Sequence, residues 1–548
     1  MSRTTVSNFP ALARRIVQDH RVFDPTGSAA SGLHGFDGIL PDYSAPALNR
    51  YVARSRKDLE GLARLERKGG LSRAALVELG VLRGMLLSEI SEVVDQRLPQ
   101  AFPPYFLFRL NIVNYLLREY APLDQRLRAV AKLQSQIPDF LQELRRQTDR
   151  RLADTFFEMA EMVTTGILDS YARELPDHLR KAAMGVRVRV EGTNAVATSE
   201  LKGLVQSLGT TYKPRIKTEF ALGRRKYDRM IFAEHLAAIP IERLLEVGRR
   251  DLQANQAAFA ETAKKIDPRK SPMEVLEGME KDHPTADRLI EETRRMLEDI
   301  RGFVIDHDIV SVPSEERAKV IETPRFFRMA TAAINPPGSF EKVAQDAFYY
   351  VTPVEDSWSP EKQEEWLRHL NFTTLRNISV HECYPGHFVH FLHRMKVKSV
   401  VLRSYTSYAF TEGWAHYCEA MMVEAGFGDD RLKLAMLQDA LLRNCRYLSS
   451  IGMHTAGWSW EDATRFFMEN AYLDRLPAER EAKRGTWDPG YLNYTLGKLM
   501  IRKLRDDWMK RNRGKGRKEF HDALLALGAP PLGLARSHLL GPNSGPAL

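Results

Sequence analysis

Apolar residues recur at helical spacing along most of this chain, and this pattern limits the possible folds more than any other feature. Residues spaced i, i+3, i+4 and i+7 lie on one face of an α-helix, where they can pack against a core. Two clear stripes are Leu82, Leu86, Ile90 and Val93, and Ile241, Leu244, Leu245, Leu252 and Phe259. The sequence therefore predicts a mainly α fold.

Two short segments have the composition of β-strands. Val186, Val188 and Val190 alternate with arginines, which is the period of a strand with one buried face. Residues 347–352, Ala-Phe-Tyr-Tyr-Val-Thr, form an aromatic and β-branched run that Pro353 closes. We therefore expect a few short β-strands within the helical body.

Turn-forming residues indicate where the chain divides. Clusters of Pro, Gly, Asp and Ser occur at residues 24–44, 268–272, 313–314 and 335–338. A chain of 548 residues is long enough for more than one compact unit. We expect an N-terminal helical region over residues 1–300 and a C-terminal region over residues 301–548, which carries the motifs described below.

Charge and cysteine content indicate the setting in which the protein works. The net charge of +9 is mild, and the basic run at residues 502–518 is typical of a solvated helix end, so no nucleic-acid partner is expected. Three cysteines cannot form a disulfide framework in so long a chain. Residues 1–17 lack the apolar core of a signal peptide, and no run of about 18 apolar residues occurs. We expect a cytoplasmic protein that does not enter a membrane.

The segment His381-Glu-Cys-Tyr-Pro-Gly-His387 carries the strongest chemical signal. It differs from the metalloprotease motif H-E-x-x-H, whose spacing of four puts both imidazoles on one helix face. A spacing of six turns about 600° in a regular helix and leaves the rings roughly 120° apart, which is too far for one ion. Pro385 and Gly386 can break the helix and bring His387 back beside His381. Otherwise the helix ends at Pro385 and the two histidines are unrelated.

A second segment strengthens the metal interpretation. Glu412, His416 and Glu419 lie at i, i+4 and i+7 and so share one helix face. Glu412 follows His387 by 25 residues, a gap that suits two helices joined by a loop. Any one of these residues alone is typical of an exposed polar face. Together, the two segments predict a metal site of two histidines and one glutamate with an open position for water.

These motifs resemble those of a bacterial family, domain of unknown function 885, which is grouped with the zincin metallopeptidases. The resemblance covers roughly residues 375–540 and includes three later segments: Arg446 to His454, Tyr494-Thr-Leu-Gly497-Lys, and Phe520-His-Asp-Ala-Leu-Leu-Ala-Leu-Gly-Ala-Pro530. The chain departs from the family at Ser450, where Asp is usual, and at His416, where an apolar residue is commoner. The resemblance implies a mainly α, zincin-like metallopeptidase architecture with a deep cleft.

The resemblance also implies roles for four residues. His381, His387 and Glu412 would bind one Zn²⁺ ion, and Glu382 would be the general base. The chemistry suits these roles, because an ion with such ligands lowers the pKa of its water toward about 7. Glu382 would then take the proton from that water and pass it to the leaving amine.

Four further residues are candidates for supporting roles. Glu419 or His416 is placed to fix the tautomer of a ligating histidine. Tyr494 and His454 are candidates to stabilise the oxyanion, because both follow the ligands in segments that resemble the family and have glycines nearby. The alternatives are a tyrosine hydroxyl on solvent and a histidine that caps a turn.

The remaining candidates have simpler explanations. His390 and His393 are expected to cover a helix surface, and Cys383 and Cys418 to be small buried residues. Three arginines could bind a substrate carboxylate, although salt bridges within the helical body are commoner: Arg443, Arg446 and Arg505. The run at residues 347–352 is expected to form the strand at the cleft edge, along which an extended substrate lies, or else a buried strand without substrate contact.

The sequence thus predicts a zinc-dependent hydrolase that cleaves a peptide or related amide bond in a peptide or small amide substrate. Two alternatives remain. One is a non-catalytic helical interaction protein that retains remnants of the motifs. The other is a metal-dependent hydrolase of a small non-peptide amide or ester.

Overall fold

A computed structural model describes residues 8–324, 328, 331–542 and 544–548. The chain forms two compact units: the first comprises Met1–Leu222 and Pro337–Gln345, and the second comprises Gly223–Pro336 and Asp346–Leu548. The division therefore falls at residue 222 rather than near residue 300 as predicted. The turn cluster at residues 268–272 joins helices inside the second unit, so it marks a turn and not a boundary.

The first unit is helical. Its helices are α1 (Asn8–Phe23), α2 (Pro25–Ala30), α3 (Ala45–Lys68), α4 (Arg73–Ile90), α5 (Leu98–Ala101), α6 (Pro104–Leu107), α7 (Val113–Leu117), α8 (Leu123–Gln134), α9 (Ile137–Gln147), α10 (Asp154–Asp169), α11 (Leu175–Leu179) and α12 (Met184–Ser207). The prediction of a strand at Val186, Val188 and Val190 is wrong, because all three lie in α12. Val186 and Val190 are buried one turn apart while Val188 is 59% exposed, so the alternation reflects helical spacing of four.

The second unit holds the remaining helices. They are α13 (Arg224–His235), α14 (Ile241–Ile266), α15 (Pro272–Glu280), α16 (Leu289–Asp306), α17 (Pro360–His369), α18 (Phe372–Glu382), α19 (His387–Lys396), α20 (Val400–Ser404), α21 (Tyr408–Glu424), α22 (Asp430–Thr455), α23 (Trp460–Ala471), α24 (Arg475–Trp487), α25 (Asn493–Arg511), α26 (Arg517–Leu525) and α27 (Leu532–Leu540). Long apolar stripes pack α14 along α22, which is why residues 223–300 belong to this unit. Of the helices that the structure describes, none is both long and apolar enough to cross a membrane.

A small sheet of three strands lies in the second unit, in the order β1-β3-β2. β1 (Lys319–Glu322) runs parallel to β3 (Phe348–Val351), and β2 (Ala332–Asn335) runs antiparallel to it. The prediction of a strand over residues 347–352 is confirmed by β3. Its predicted place at the cleft edge is wrong, because β3 is the middle strand and β2 lies at one end of the sheet. Three consecutive buried residues in β3 are typical of a strand covered on both faces.

Two helices of the second unit cross at glycines. A Cβ on Gly413 of α21 would lie 2.5 Å from the Cα of Gly497 of α25, and a Cβ on Gly497 would lie 2.0 Å from the carbonyl oxygen of Ala409. Only residues without a side chain allow backbones to approach so closely. Because α21 also packs against α18, its polar residues are enclosed by neighbouring helices.

Candidate metal centre

The helix predicted to be irregular at Pro385 is broken there. α18 ends at Glu382, residues 383–386 form a turn that contains a cis Tyr384–Pro385 bond, and α19 begins at His387. The turn is tight, because the amide of Gly386 donates to the carbonyl of Val380 at 3.1 Å. A Cβ on Gly386 would lie 1.8 Å from the carbonyl oxygen of His381, so this position requires glycine on steric grounds.

This break brings the two histidines of the first segment together. The ring centroids of His381 and His387 are 4.8 Å apart, and the rings are nearly perpendicular at 89°. The indole nitrogen of Trp414 on α21 donates to the carbonyl of Pro385 at 2.9 Å and so ties the turn to the second segment. The two imidazoles therefore converge despite their spacing of six.

Glu412 completes a set of three possible ligands. Its Oε2 lies 3.5 Å from the Nε2 of His381 and 3.4 Å from the Nε2 of His387. For metal–ligand bonds of about 2.1 Å, the edges of a tetrahedron are about 3.4 Å. Two imidazole nitrogens and one carboxylate oxygen at these separations fit a zinc ion. The donor set is also one that catalytic zinc sites use.

Glu419 accepts a hydrogen bond from His381 on the side of the ring opposite to Nε2. It lies two turns after Glu412 on α21, and its Oε1 accepts a hydrogen bond from the Nδ1 of His381 at 2.5 Å. A proton on Nδ1 leaves the Nε2 of His381 free to bind a metal. Arg443 on α22 pairs with the same carboxylate at 3.1 Å, so Glu419 is fixed from both sides.

His416 also contacts Glu419, one turn before it on the same helix. Its Nδ1 donates to the Oε2 of Glu419 at 3.2 Å. Burial, reinforced by Lys498, lowers the pKa of His416 to about 3, so this imidazole is neutral. His416 thus supports Glu419 and does not itself reach the metal position.

Electrostatics favour ionised carboxylates at the site. Burial opposes the charge on Glu419, but Arg443 and His416 outweigh it and hold its pKa well below the usual value. Burial likewise opposes ionisation of Glu412, yet contact with His387 and with His381 keeps its pKa well below the usual value. Burial lowers the pKa of His381, but the two carboxylates together raise it to about 9.

Glu382, the predicted general base, lies beside these ligands. His381, Glu382 and His387 offer ligand atoms within 4.8 Å of one another. The Oε2 of Glu382 accepts a hydrogen bond from the amide of Ile334 in β2 at 2.9 Å. One carboxylate oxygen is therefore held by the end strand of the sheet. Among the described residues, no hydrogen bond to the other oxygen is seen.

Of the two predicted oxyanion donors, the structure brings only Tyr494 to the site. Its ring centroid lies 6.4 Å from that of His381. His454 is buried elsewhere: its Nε2 donates to the carbonyl of Gly485 at 2.8 Å, and burial lowers its pKa to about 4. The role proposed for His454 thus loses its geometric basis. Ser450, one turn before it, bonds to Tyr227 and to the carbonyl of Pro489, so its hydroxyl joins neighbouring segments away from the candidate ligands.

Other residues discussed from the sequence have structural roles. His390 was expected on a surface, but it is 3% exposed and donates to the carbonyl of Gly528. His393 donates to the carbonyl of Ser311 at 2.7 Å. Cys383 and Cys418 are buried free thiols, as predicted. The arginines form salt bridges, with Glu419 for Arg443, Glu481 for Arg446 and Glu424 for Arg505.

The salt bridge favoured for Arg443 from the sequence is the one it forms with Glu419. Sequence reasoning missed another residue that contacts Glu419, which is Asn377. Asn377 lies one turn before His381 on α18, and its amide donates to Asp439 at 2.5 Å and to Glu419 at 3.5 Å. The helical spacing of four between Asn377 and His381 was the signal that could have revealed it.

The candidate ligands open into a cavity of about 380 Å³. Its lining includes three residues of the β2 region, which are Ala333, Ile334 and Pro336. A larger cavity of about 640 Å³ lies at the C-terminal end of α21, but no histidine or cysteine occurs among its described lining residues. The chemistry therefore identifies the smaller cavity as the candidate site.

Two solved structures share the fold of this chain, and both are described as putative lipoproteins. One, of unknown function and from Shewanella oneidensis, is 22% identical, with a TM-score of 0.80 over 97% of this chain and 100% of its own. The other, from Colwellia psychrerythraea, is 15% identical, with a TM-score of 0.73 over 98% of each chain. The prediction of a mainly helical protein is confirmed. No curated protein matches the chain.

The family described as "Bacterial protein of unknown function (DUF885)" matches residues 25–539, and this chain belongs to it. The family resemblance inferred from the motifs is therefore confirmed, and it extends over most of the chain. The family description assigns no activity, so the relation to zincin metallopeptidases belongs to the proposal below.

The expectation of a cytoplasmic protein is contradicted by the two solved structures, because both are described as putative lipoproteins. A lipoprotein is anchored by a lipid and needs no apolar helix. The lack of a long apolar run therefore does not distinguish a lipoprotein from a cytoplasmic protein. The expectation also rested on the cysteine content and on the composition of residues 1–17, of which residues 1–7 lie outside the described part of the chain.

Proposed function

We propose that this protein is a zinc-dependent hydrolase that cleaves a peptide or related amide bond, with a zincin-like arrangement of catalytic residues. His381, His387 and Glu412 would hold one zinc ion. The observation that carries the proposal is the position of Glu412 Oε2, 3.5 Å and 3.4 Å from the two imidazole Nε2 atoms. The pairing of His381 with Glu419 adds the outer partner that metal-binding histidines usually have.

When bound, zinc would supply a Lewis acid that activates water and polarises the scissile carbonyl. Glu382 would accept the proton of the nucleophile and return it to the leaving amine. The amide of Ile334 supports this role, because it fixes the direction of the Glu382 carboxylate.

Tyr494 would donate a hydrogen bond to the oxyanion that develops on the carbonyl oxygen. Burial, with the nearby charge of Glu412, raises the pKa of Tyr494, so the phenol stays protonated at neutral pH. Arg484 donates to the phenol oxygen at 3.4 Å, which leaves the hydroxyl hydrogen free to point into the cavity. Tyr494 lines this cavity together with His381 and Glu412.

The first test is the metal content of the protein purified without added metal. We expect about one equivalent of zinc in the parent and a loss of zinc in His387→Ala. His393→Ala is the matched control, because His393 lies on the same helix and bonds to Ser311 instead of facing the ligands. Full zinc occupancy in His387→Ala would exclude the ligand assignment. A parent without metal, whose melting is unchanged by chelator, would favour the interaction protein.

The second test separates metal binding from chemistry. Glu382→Gln should keep zinc but lose on the order of 10²-fold or more in turnover, because an amide cannot act as a base. Turnover would be followed on peptides found with a mixed peptide library, whose cleavage products are read by mass spectrometry. Near-normal turnover in this variant would rule out the role of Glu382. Cleavage of small amides or esters but of no peptide would move the assignment to the non-peptide alternative.

A further inference from the structure

Arg394 lies on the same face of α19 as His387. The two residues are seven positions apart, which is close to two full helical turns and places Arg394 about 10 Å further along the helix. Both line the cavity of about 380 Å³, together with His390 and Phe391 between them. Arg394 therefore lines the same candidate site as the ligands, about two helical turns after His387.

The pairing of Arg394 differs from that of the other arginines near this site. Arg394 donates to the backbone carbonyl of Arg403 at 2.7 Å, but its Nε is buried without a hydrogen-bond partner. Among the described residues, no carboxylate forms an ion pair with it. By contrast, three neighbours of Tyr494 are each neutralised by an acid, namely Arg443 by Glu419, Arg446 by Glu481 and Arg484 by Asp488.

The surroundings of Arg394 make its unpaired charge costly. Burial, reinforced by the charge of Arg403, lowers the pKa of Arg394 to about 10. The hydroxyl of Thr411, which lines the same cavity, is also buried without a hydrogen-bond partner among the described residues. A half-buried cation with an unbonded Nε and an unbonded hydroxyl at one cavity form a site that an anionic oxygen ligand would satisfy.

We propose that Arg394 binds a carboxylate of the substrate, and that the protein therefore acts on peptides or amides that carry a carboxylate close to the scissile bond. This inference rests on the hydrolase function proposed above. One extended residue spans about 3.3–3.6 Å, and helical side chains lean toward the helix N-terminus, so the carboxylate lies about one to three residues from the scissile bond. It belongs either to the C-terminus of a peptide or to an Asp or Glu side chain.

The test uses matched peptides on the zinc-loaded protein. One set of short alanine-based peptides has a free C-terminal carboxylate, a second has a C-terminal amide, and a third has the amide and one Glu at successive positions. We expect kcat/KM for the first or the third set to exceed that for the second by on the order of 10- to 100-fold, as for a charge-assisted hydrogen bond. Equal values for all three sets would overturn the proposal without any variant.

Variants then assign the preference to Arg394. Arg394→Gln should reduce the preference to within about twofold, mainly through KM, while zinc content is retained. Arg394→Lys should keep part of it, because the charge remains without the fork of donors. Arg403→Gln is the control, because the side chain of Arg403 does not line the cavity, and it should keep the full preference. A preference that persists in Arg394→Gln would overturn the proposal.

Binding distinguishes failure of this inference from failure of the hydrolase function. If no peptide is cleaved, thermal melting of the parent with the free-carboxylate, Glu-containing and fully amidated peptides still reports on Arg394. Stabilisation by a carboxylate peptide that is lost in Arg394→Gln would support the carboxylate site and leave only the chemistry in doubt. Equal stabilisation by all three peptides, or none by any of them, would overturn the inference.

Discussion

The two segments that supply the candidate ligands do so in opposite ways. The segment from α18 to α19 is interrupted, and its two histidines meet because residues 383–386 turn the chain back. The helix α21 is regular, and its spacing alone distributes Glu412 to the cavity and Glu419 to the far side of His381. In the first segment, a break in the helix brings the two histidines together. In the second, regular helical spacing places one glutamate among the candidate ligands and another against His381.

This difference indicates where each segment is vulnerable. The interrupted segment depends on atoms of the backbone, since the space beside Gly386 is filled by the carbonyl of His381. The regular helix depends on side-chain partners, since Glu419 is held by Arg443 and His416. A substitution that adds one methyl group to Gly386 should therefore disrupt the interrupted segment. A substitution that changes the charge or hydrogen bonding of Glu419 should weaken the contacts of the regular helix.

The largest effect is expected from Gly386→Ala. The added Cβ would lie 1.8 Å from the carbonyl oxygen of His381, so the turn must open and separate the two histidines. We expect loss of zinc binding and destabilisation at the upper end of about 1–3 kcal/mol, as for overpacking against backbone. Zinc content and thermal melting would measure both.

The matched control is Gly278→Ala in α15, where the space around a Cβ is open. This change should stabilise the protein by about 0.5–1 kcal/mol, because alanine favours the helix. It should also leave zinc content unchanged. If Gly386→Ala kept its zinc as Gly278→Ala does, the turn would not be what brings the histidines together.

A smaller effect is expected from Tyr494→Phe, which removes a hydroxyl group from α25, the helix that crosses α21. Zinc and substrate binding should be retained, while turnover falls by about 10²- to 10³-fold, the usual cost of one lost oxyanion donor. Tyr491→Phe serves as control, because the Tyr491 hydroxyl bonds to Ser449 away from the cavity. If turnover of Tyr494→Phe stays within about twofold of the parent, groups other than Tyr494 stabilise the oxyanion.

The smallest effect is expected from Glu419→Gln on the regular helix. The amide is a weaker acceptor for the Nδ1–H of His381, so zinc affinity should fall by about 10- to 100-fold while one ion can still bind. Affinity would be measured by competition with a chelator. Glu424→Gln, on the same helix but paired with Arg505, should keep the affinity of the parent. Unchanged affinity in Glu419→Gln would remove its supporting role.

Much of the regular structure was predictable from the sequence, because helical periodicity depends on residues close in the chain. The location of Glu412 and Glu419 on one helix followed from their spacing of seven residues. The strand over residues 347–352 followed from its composition, but not its middle position, because strand order depends on distant pairing. The valines of α12 show where such reasoning fails. Buried residues four positions apart fit the period of a helix and also that of a strand, so Val186 and Val190 suggested a strand although they lie in a helix.

The site was predictable where residue type carries the chemistry, and less so where partners come from elsewhere in the chain. His381, His387 and Glu412 are of the types that bind zinc, so their motifs singled them out as candidates, and the structure brings them together. The sequence could not show that His454 contacts Gly485, or that Arg394 has no ion pair with a described carboxylate. Both depend on packing between segments distant in the chain. The division at residue 222 was missed for the same reason.

The hydrogen bond from Ile334 to Glu382 has a consequence for how such proteins can vary. The donor is a peptide N–H, which every amino acid except proline carries, and the side chain of residue 334 takes no part in it. Selection can therefore change that side chain to suit different substrates while the base stays oriented. A comparison of residue identities alone would pass over position 334, although the main chain there helps to orient Glu382, the proposed proton acceptor.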